Sequence, residues 1–307
     1  VIGGIMEHIE DAGIHSGDSA CVLPPYLIEK AHLDTMRVQT VALAKALGVV
    51  GLINVQYAVR DGVVYILEVN PRGSRTVPFV SKAIGVPLAA YAARVMLGET
   101  LEQVGLSEEI LPPYVSVKEA VFPFNKFREF DPILGPEMRS TGEVMGISDS
   151  FGDAFGKAEI AADNKLPASG AVLVTVVDTD KAPATRIVRR FHEMGFSILA
   201  TSGTARHLAS EGIPVTAIKK VHQGSPNGLE LILRGDVQLL INTPLGKDSQ
   251  RDDYTMRQAA IANRIAYTTT LSAARAACDA IAAARSRPAA VRSLQEWHAL
   301  LPRTVSV

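Results

Sequence analysis

The stretch "AVLVTVVDTDKAPATRIVRRFHEMGFSILATSGTARHLASEG", Ala171 to Gly212, decides how the second half of the chain folds. A short apolar run, a helix-period segment over about Ala182–Met194, a second apolar run and a second helix follow one another without a hairpin turn. The rhythm continues with "VTAIKKV" before "GLELILRG", "VQLLINT" before a helix over about Tyr254–Asn263, and "AYTTT" before an Ala-rich helix from about Leu271 to Arg285. Short strands that each lead into a helix predict a Rossmann-like parallel sheet of five strands with both faces covered. Pro288 stops the last long helix, and "VRSLQEWHALL" adds an amphipathic one with Leu294, Trp297 and Leu301 on one face.

Ligands of open parallel sheets sit beyond the strand C-termini. Here those ends carry Thr175 and Asp178, Thr201-Ser202-Gly203-Thr204, Lys219-Lys220, Asn242-Thr243, and Thr268-Thr269-Thr270. Hydroxyls, a Gly turn and lysines at helix N-termini suit a phosphate, and the same Ser and Thr residues would also serve as helix caps.

Upstream, "DNKLPASG" (Asp163 to Gly170) is the natural domain boundary. Before it lies an α+β region: a strand at Val1–Ile5, a loop "AGIHSGDSACVLPP", a helix from about Tyr26 to Leu47, a hairpin, and a helix near Pro87–Leu97. A Pro- and Gly-rich connector follows from residue 98 to 163. The expected division is therefore 1–97, 98–163 and 164–307.

The hairpin "GLINVQYAVRDGVVYILEVNPR" (Gly51–Arg72) holds polar groups inside apolar runs. Odd positions Val55, Tyr57, Val59, Val63, Tyr65, Leu67 and Val69 are all apolar, whereas Asn54, Gln56, Glu68 and Asn70 are even. A three-residue loop Arg60-Asp61-Gly62, with Gly62 left-handed, keeps all odd residues on one side; a two-residue turn would put Gln56 and Glu68 on opposite faces. With the odd loop, Gln56, Glu68 and Asn70 converge as three hard oxygen donors, a set suited to Mg²⁺ with nucleotide phosphates. A solvent-facing polar edge has the same periodicity. Arg72 and Arg75 follow at a spacing that suits phosphate contact. The loop His15-Ser16-Gly17-Asp18-Ser19 reads either as a backbone cradle for a ligand or as an Asx-type turn.

The chain has 307 residues, 47% hydrophobic and 21% charged, with a net charge of −1 and no basic footprint for nucleic acid or anionic membrane. Cys21 and Cys278 form no C-x-x-C pair, which fits a reducing compartment, and cytoplasm is the expectation. No apolar run reaches membrane-spanning length. The opening on Val suggests a piece of something longer.

The stretches "MEHIEDAGIHSGDSACVLPP", "NVQYAV", "LEVNPRGSRTVPFVSKAIGVPLA", "SVKEAVFPFNKF" and "DPILGPEMRSTGEVMG" resemble the large subunit of carbamoyl phosphate synthetase. The resemblance implies the C-terminal part of its second ATP-grasp module, which phosphorylates carbamate, followed by an allosteric domain of methylglyoxal-synthase-like fold. It implies Gln56, Glu68 and Asn70 as ligands of Mg²⁺ (or Mn²⁺), with Gln56 and Glu68 also at the ATP. Gly13, Ile14, His15 and Ser16 would belong to the nucleotide loop, and Arg72 and Arg75 would be the catalytic arginines facing phosphate; K⁺ is a further ion of the family. Thr175, Lys181, Thr201, Thr204, Lys220, Asn242 and Thr243 match its pocket for a nucleoside monophosphate, with uridine monophosphate as inhibitor and inosine monophosphate as activator in some members. Glu10, Asp18, Glu119 and Thr269 match an ornithine site of some members. "PLGKDSQRDD" after Asn242-Thr243 departs from enteric members. The implied partners are a glutaminase small subunit and the N-terminal remainder of the large subunit. A methylglyoxal synthase, a lyase, needs an aspartate base in the loop "KKVHQGSPN", which has none.

Overall fold

The computed structural model describes residues 1–124, 131–243, 250–286, 288 and 290–302. The first region begins with β1 (Glu7–His8) and β2 (Cys21–Leu23) and continues through α1 (Lys30–Ala46), the hairpin β3 (Asn54–Arg60) and β4 (Val63–Asn70), α2 (Val77–Ile84) and α3 (Leu88–Met96). Then come β5 (Val115–Val121), β6 (Gly142–Ser148) and α4 (Phe151–Ala161). Val1–Ile5 is not a strand; pairing starts at Glu7. The order β1-β2-β5-β6 makes one antiparallel sheet, so the strands of the connector complete the sheet begun by the first region.

Alternation sorts this sheet into two faces. Val22, Val117 and Ile9 pack with Ala154, Phe155 and Ala158 of α4. The helix lies so close that a Cβ on Gly146 would sit 2.0 Å from the Ala154 carbonyl oxygen and 2.6 Å from the Ala158 amide nitrogen. Only glycine fits there. Ser150 caps α4 by accepting a hydrogen bond from the Asp153 amide.

The β3–β4 hairpin differs from the three-residue loop expected. Arg60 pairs with Val63, so the turn is the two-residue Asp61-Gly62, with φ of 52° and 76° as a type I′ turn requires. The register then shifts between Gln56 and Tyr57: Tyr57 faces Ile66, Gln56 faces Glu68, and Leu67 is the extra residue of a bulge. That residue reverses the parity of the strand. Gln56 and Glu68 therefore share a face after all, while Val63 and Tyr65 leave the side expected of odd positions. Val63, Tyr65, Ile66 and Leu67 are 45–50% exposed.

The second region alternates as expected: β7 (Ala171–Thr175), α5 (Lys181–Glu193), β8 (Ser197–Thr201), α6 (Ser202–Ser210), β9 (Thr216–Ile218), α7 (Gly228–Arg234), β10 (Leu239–Asn242), α8 (Gln250–Ala262), β11 (Ala266–Thr268) and α9 (Leu271–Ser286). All five strands are parallel in the order β11-β10-β7-β8-β9. Val172 and Val174 face the core under α5 and α9, and Leu173 and Leu240 face that under α7 and α8, which is why these strands are apolar throughout.

Helices α4 and α10 take part in joining the regions. Along α4, Gly152 and Gly156 lie against α9; a Cβ on Gly152 would come within 2.5 Å of the Asp279 carbonyl oxygen. The last helix, α10 (Leu294–His298), returns to the first region rather than covering the parallel sheet: Trp297 packs on Tyr114 at 5.3 Å, His298 Nε2 contacts the Lys82 carbonyl oxygen at 2.7 Å, and Leu301 touches Gly85. Among the described residues no single helix is long and apolar enough to cross a membrane.

Candidate nucleotide site and effector pocket

The bulge at Leu67 places Gln56 directly across from Glu68 and Asn54 across from Asn70, so all four side chains share one face. Asn70 Nδ2 donates to Glu68 Oε1 at 2.7 Å, and Arg72 Nη2 donates to Asn70 Oδ1 at 3.3 Å. Glu68 and Arg72 are exposed. The row offers amide and carboxylate oxygens with a single negative charge, which fits a hard divalent cation whose remaining coordination comes from phosphate and water. No cluster of three His, Cys, Asp or Glu side chains suited to a metal exists among the described residues, so a cation here depends on the amides beside Glu68.

The loop of Gly13, Ile14, His15 and Ser16 is held by the His15 side chain and by the carbonyl of Gly135. Gly13 has φ of 100°, the Gly17 amide donates to His15 Nδ1 at 3.0 Å, and the His15 amide donates to the Gly135 carbonyl at 2.8 Å. Beneath it Lys118 is fully buried, its ammonium donating to the Ser16 and Gly17 carbonyls at 3.4 Å each. Lys118 was not foreseen; its place in the alternation "SVKEAV" is the signal, since it shares the β5 face of Ser116 and Ala120. Burial first, and then the Lys118 charge, push the His8 imidazole down to about 4. Arg75 reaches the same loop, its guanidinium lying against Met138 Sδ, which packs over Gly17.

Of the four residues matched to an ornithine site, Glu10 and Glu119 come together and Asp18 does not join them. The Asp18 carboxylate is spent on the backbone amides of Arg139 (2.7 Å) and Ser140 (2.9 Å). Glu10 accepts from the Ala20 amide at 2.8 Å, and burial, with Glu119 next to it, raises its carboxyl to about 8. Glu159 of α4, also unforeseen, sits beside Glu119; burial and then Glu10 raise it to about 8, and Glu119 is held well above its ordinary range by burial and then by Glu159. Glu119 Oε2 is buried, and burial beside Glu159 favours the protonated form of these acids. Tyr267 of β11 lies near both, its hydroxyl raised chiefly by burial; Thr269, two residues on, is half-buried. Burial pushes the thiols up to about 12 at Cys21 and about 11 at Cys278, so neither is a thiolate nucleophile.

At the C-terminal edge of the parallel sheet the expected residues gather. Thr201 Oγ1 donates to Thr175 Oγ1 at 3.4 Å, the Val177 amide donates to Thr243 Oγ1 at 3.1 Å, and Thr204 is buried on α6. Lys181 Nζ stands 3.2 Å from where a Cβ on Gly203 would be, at the N-terminus of α6, and pairs with Asp178 at 2.6 Å. That pairing, followed by the charge of Lys220, holds the Asp178 carboxyl below its usual range, which places Lys220 at the same edge. Two lysines, hydroxyls and the helix start at Gly203 thus lie along one edge of the sheet, a chemistry that suits a phosphate. Asn242 is the exception: fully buried, its side chain is held between Arg257 and Asp253. Residues 244–249 of the "PLGKDSQRDD" departure lie outside the described residues.

Comparison with known proteins matches two stretches of the chain. Residues 1–104 match the family described as carbamoyl-phosphate synthase L chain, ATP binding domain, and residues 184–269 match the MGS-like domain. The chain is thus an ATP-binding-domain segment joined to an MGS-like domain. It is similar to carbamoyl phosphate synthase large chains: it is 67% identical over 301 residues to that of Gemmatimonas aurantiaca, 54% over 299 to that of Archaeoglobus fulgidus and 50% over 299 to that of Pseudomonas putida. These alignments take in 97–98% of this chain and 28% of each relative, so the chain spans little more than a quarter of their length.

Proposed function

We propose that this chain forms part of the carbamate-phosphorylating module of a carbamoyl phosphate synthase, with its regulatory domain attached. The reaction is attack of a carbamate oxygen on the γ-phosphorus of ATP, releasing ADP and carbamoyl phosphate; such transfers depend on positioning and charge neutralisation more than on covalent catalysis. Gln56, Glu68 and Asn70 would hold Mg²⁺ or Mn²⁺, which supplies charge to the β- and γ-phosphates. Arg72, already oriented by Asn70, and Arg75 would neutralise phosphate oxygens, and loop 13–16 would border the nucleotide. Ammonia would come from a glutaminase small subunit, and the exposed apolar side of β4 would be covered by the rest of the ATP-grasp module.

The recess around Thr175, Lys181, Thr201, Thr204, Lys220 and Thr243 would take a nucleoside monophosphate such as uridine or inosine monophosphate. The acids Glu10 and Glu119 would suit an ammonium group once ionised and support an ornithine site, with Glu159 beside them. The observation that carries the catalytic reading is the pairing of Gln56 with Glu68 across the hairpin, extended by hydrogen bonds to Asn70 and Arg72. It is tested by Glu68→Gln in the complete enzyme. ATP formation from carbamoyl phosphate and ADP should fall by at least the 10–100-fold that loss of a metal site's supporting groups costs. A variant with unimpaired rate and unaltered Mg²⁺ dependence would end the assignment.

A further inference from the structure

Arg257 of α8 is a fully buried cation whose hydrogen-bonding capacity is divided between the two regions. Its Nε and Nη2 donate to the two carboxylate oxygens of Asp131 at 2.9 and 2.7 Å, a bidentate fork that lysine cannot reproduce. Its Nη1 donates to Asn242 Oδ1 at the end of β10, and Asn242 Nδ2 donates to Asp253 Oδ1 at 3.0 Å. Asp131 opens the segment that carries Gly135, Met138, Arg139 and Ser140. That segment grips the candidate nucleotide loop: the Arg139 and Ser140 amides donate to Asp18, Ser140 Oγ donates to the Gly17 carbonyl at 3.1 Å, and the His15 amide donates to Gly135. Arg139 returns to the start of the segment by donating to the Asp131 carbonyl.

We infer that Arg257 is a positioning residue that transmits occupancy of the sheet-edge recess to the nucleotide loop, a role that rests on the effector-pocket reading above. Both polar ends of the Asn242 side chain are already engaged. A ligand that reorients this side chain would draw its oxygen off Arg257, and movement of Arg257 removes the anchor of the 131–140 segment. The two states are thus defined by one competition at one amide, and coupling of this kind is typically 5–150-fold in affinity. An arginine buried this completely is poorly justified by stability alone, since an apolar replacement is often as stable.

The test uses the complete large chain with its small subunit, uridine monophosphate as probe, and two readouts: nucleotide affinity by calorimetry, and the KM for ADP in ATP formation from carbamoyl phosphate. In the unaltered enzyme a saturating probe should change that KM at least fivefold. Asp131→Asn, which keeps an acceptor for Arg257 but removes the charge and the fork, should leave probe affinity within twofold and cut the KM response to less than twofold. Asp131→Glu should retain at least half of the response, a rescue that a merely structural contact would not show, and Arg257→Lys should behave like Asp131→Asn. A full response in Asp131→Asn overturns the inference. So does a tenfold loss of probe affinity in that variant, because Asp131 would then act inside the pocket. Lys220→Ala separates the two readings: undiminished probe affinity there removes the pocket itself, whereas weakened affinity together with an unaltered response in Asp131→Asn removes only the role of Arg257.

Discussion

Replacing Glu159 by glutamine tests the buried acids directly. The side chain keeps its size and an amide able to bond Glu119 and Asn164, and loses only its charge. Burial and Glu10 raise the Glu159 carboxyl from 4.5 to about 8, so the folded protein holds a proton there that the unfolded chain releases above about pH 4.5. A carboxyl whose folded value is raised contributes its full stability below the unfolded value and loses it as pH climbs through the folded one. The full rise corresponds to ~5 kcal/mol. Water entry and relaxation reduce what is measured, and about 2 kcal/mol at pH 8 is the expected gain for Glu159→Gln, with almost none at pH 5. Trp297 is the single tryptophan of the chain and lies buried on Tyr114, so its fluorescence reports unfolding where the two regions meet. At roughly 2 kcal/mol per molar urea, the midpoint should rise by about 1 M at pH 8 and stay in place at pH 5. Equal shifts at the two pH values would refute the held proton.

Other outcomes follow from geometry. Gly146→Ala puts a methyl group on the backbone of α4, which must withdraw by about 1 Å; overpacking of this kind costs about 1–3 kcal/mol, read as a melting temperature lower by several degrees. An unchanged melting temperature would mean the helix is less closely applied than described. Lys220→Ala should weaken uridine monophosphate binding by about 1.5–3 kcal/mol, the worth of a charged hydrogen bond, measured by calorimetry. Undiminished binding would move the recess elsewhere.

The parallel sheet was readable because strands buried on both faces must be apolar throughout, and five such runs each led into a helix. Their spatial order was not, since nothing local encodes which strand lies beside which. The hairpin is more instructive. Parity arguments assume an unbroken register, and the odd residue was sought in the turn, where Asp61-Gly62 drew attention; it lies instead at Leu67, a residue type that carries no bulge signal. Two reversals of parity restored the same facing pair. Val1–Ile5 was apolar enough to suggest a strand, yet apolarity does not provide a pairing edge. Arg257 and Glu159 escaped notice because charges in helices usually face water. Their signal was spacing: Arg257 stands one residue from Met256 and three from Ala260, and Glu159 follows Ala158 and lies four from Phe155, so both fall on apolar stripes. Segment 131–140 looked like mere punctuation, and its role emerges only through the backbone donors it lends to Asp18.

The return of α10 to the first region means the parallel sheet is not a detachable cassette. A chimera that imports a foreign regulatory unit cut at residue 290 would keep the native Trp297 plug in its socket, while one that also swaps the last helix must bring a side chain shaped for Tyr114, Lys82 and Gly85. Engineers seeking to transplant effector responses should therefore treat the socket and the plug as a matched set, exchanged together or left alone.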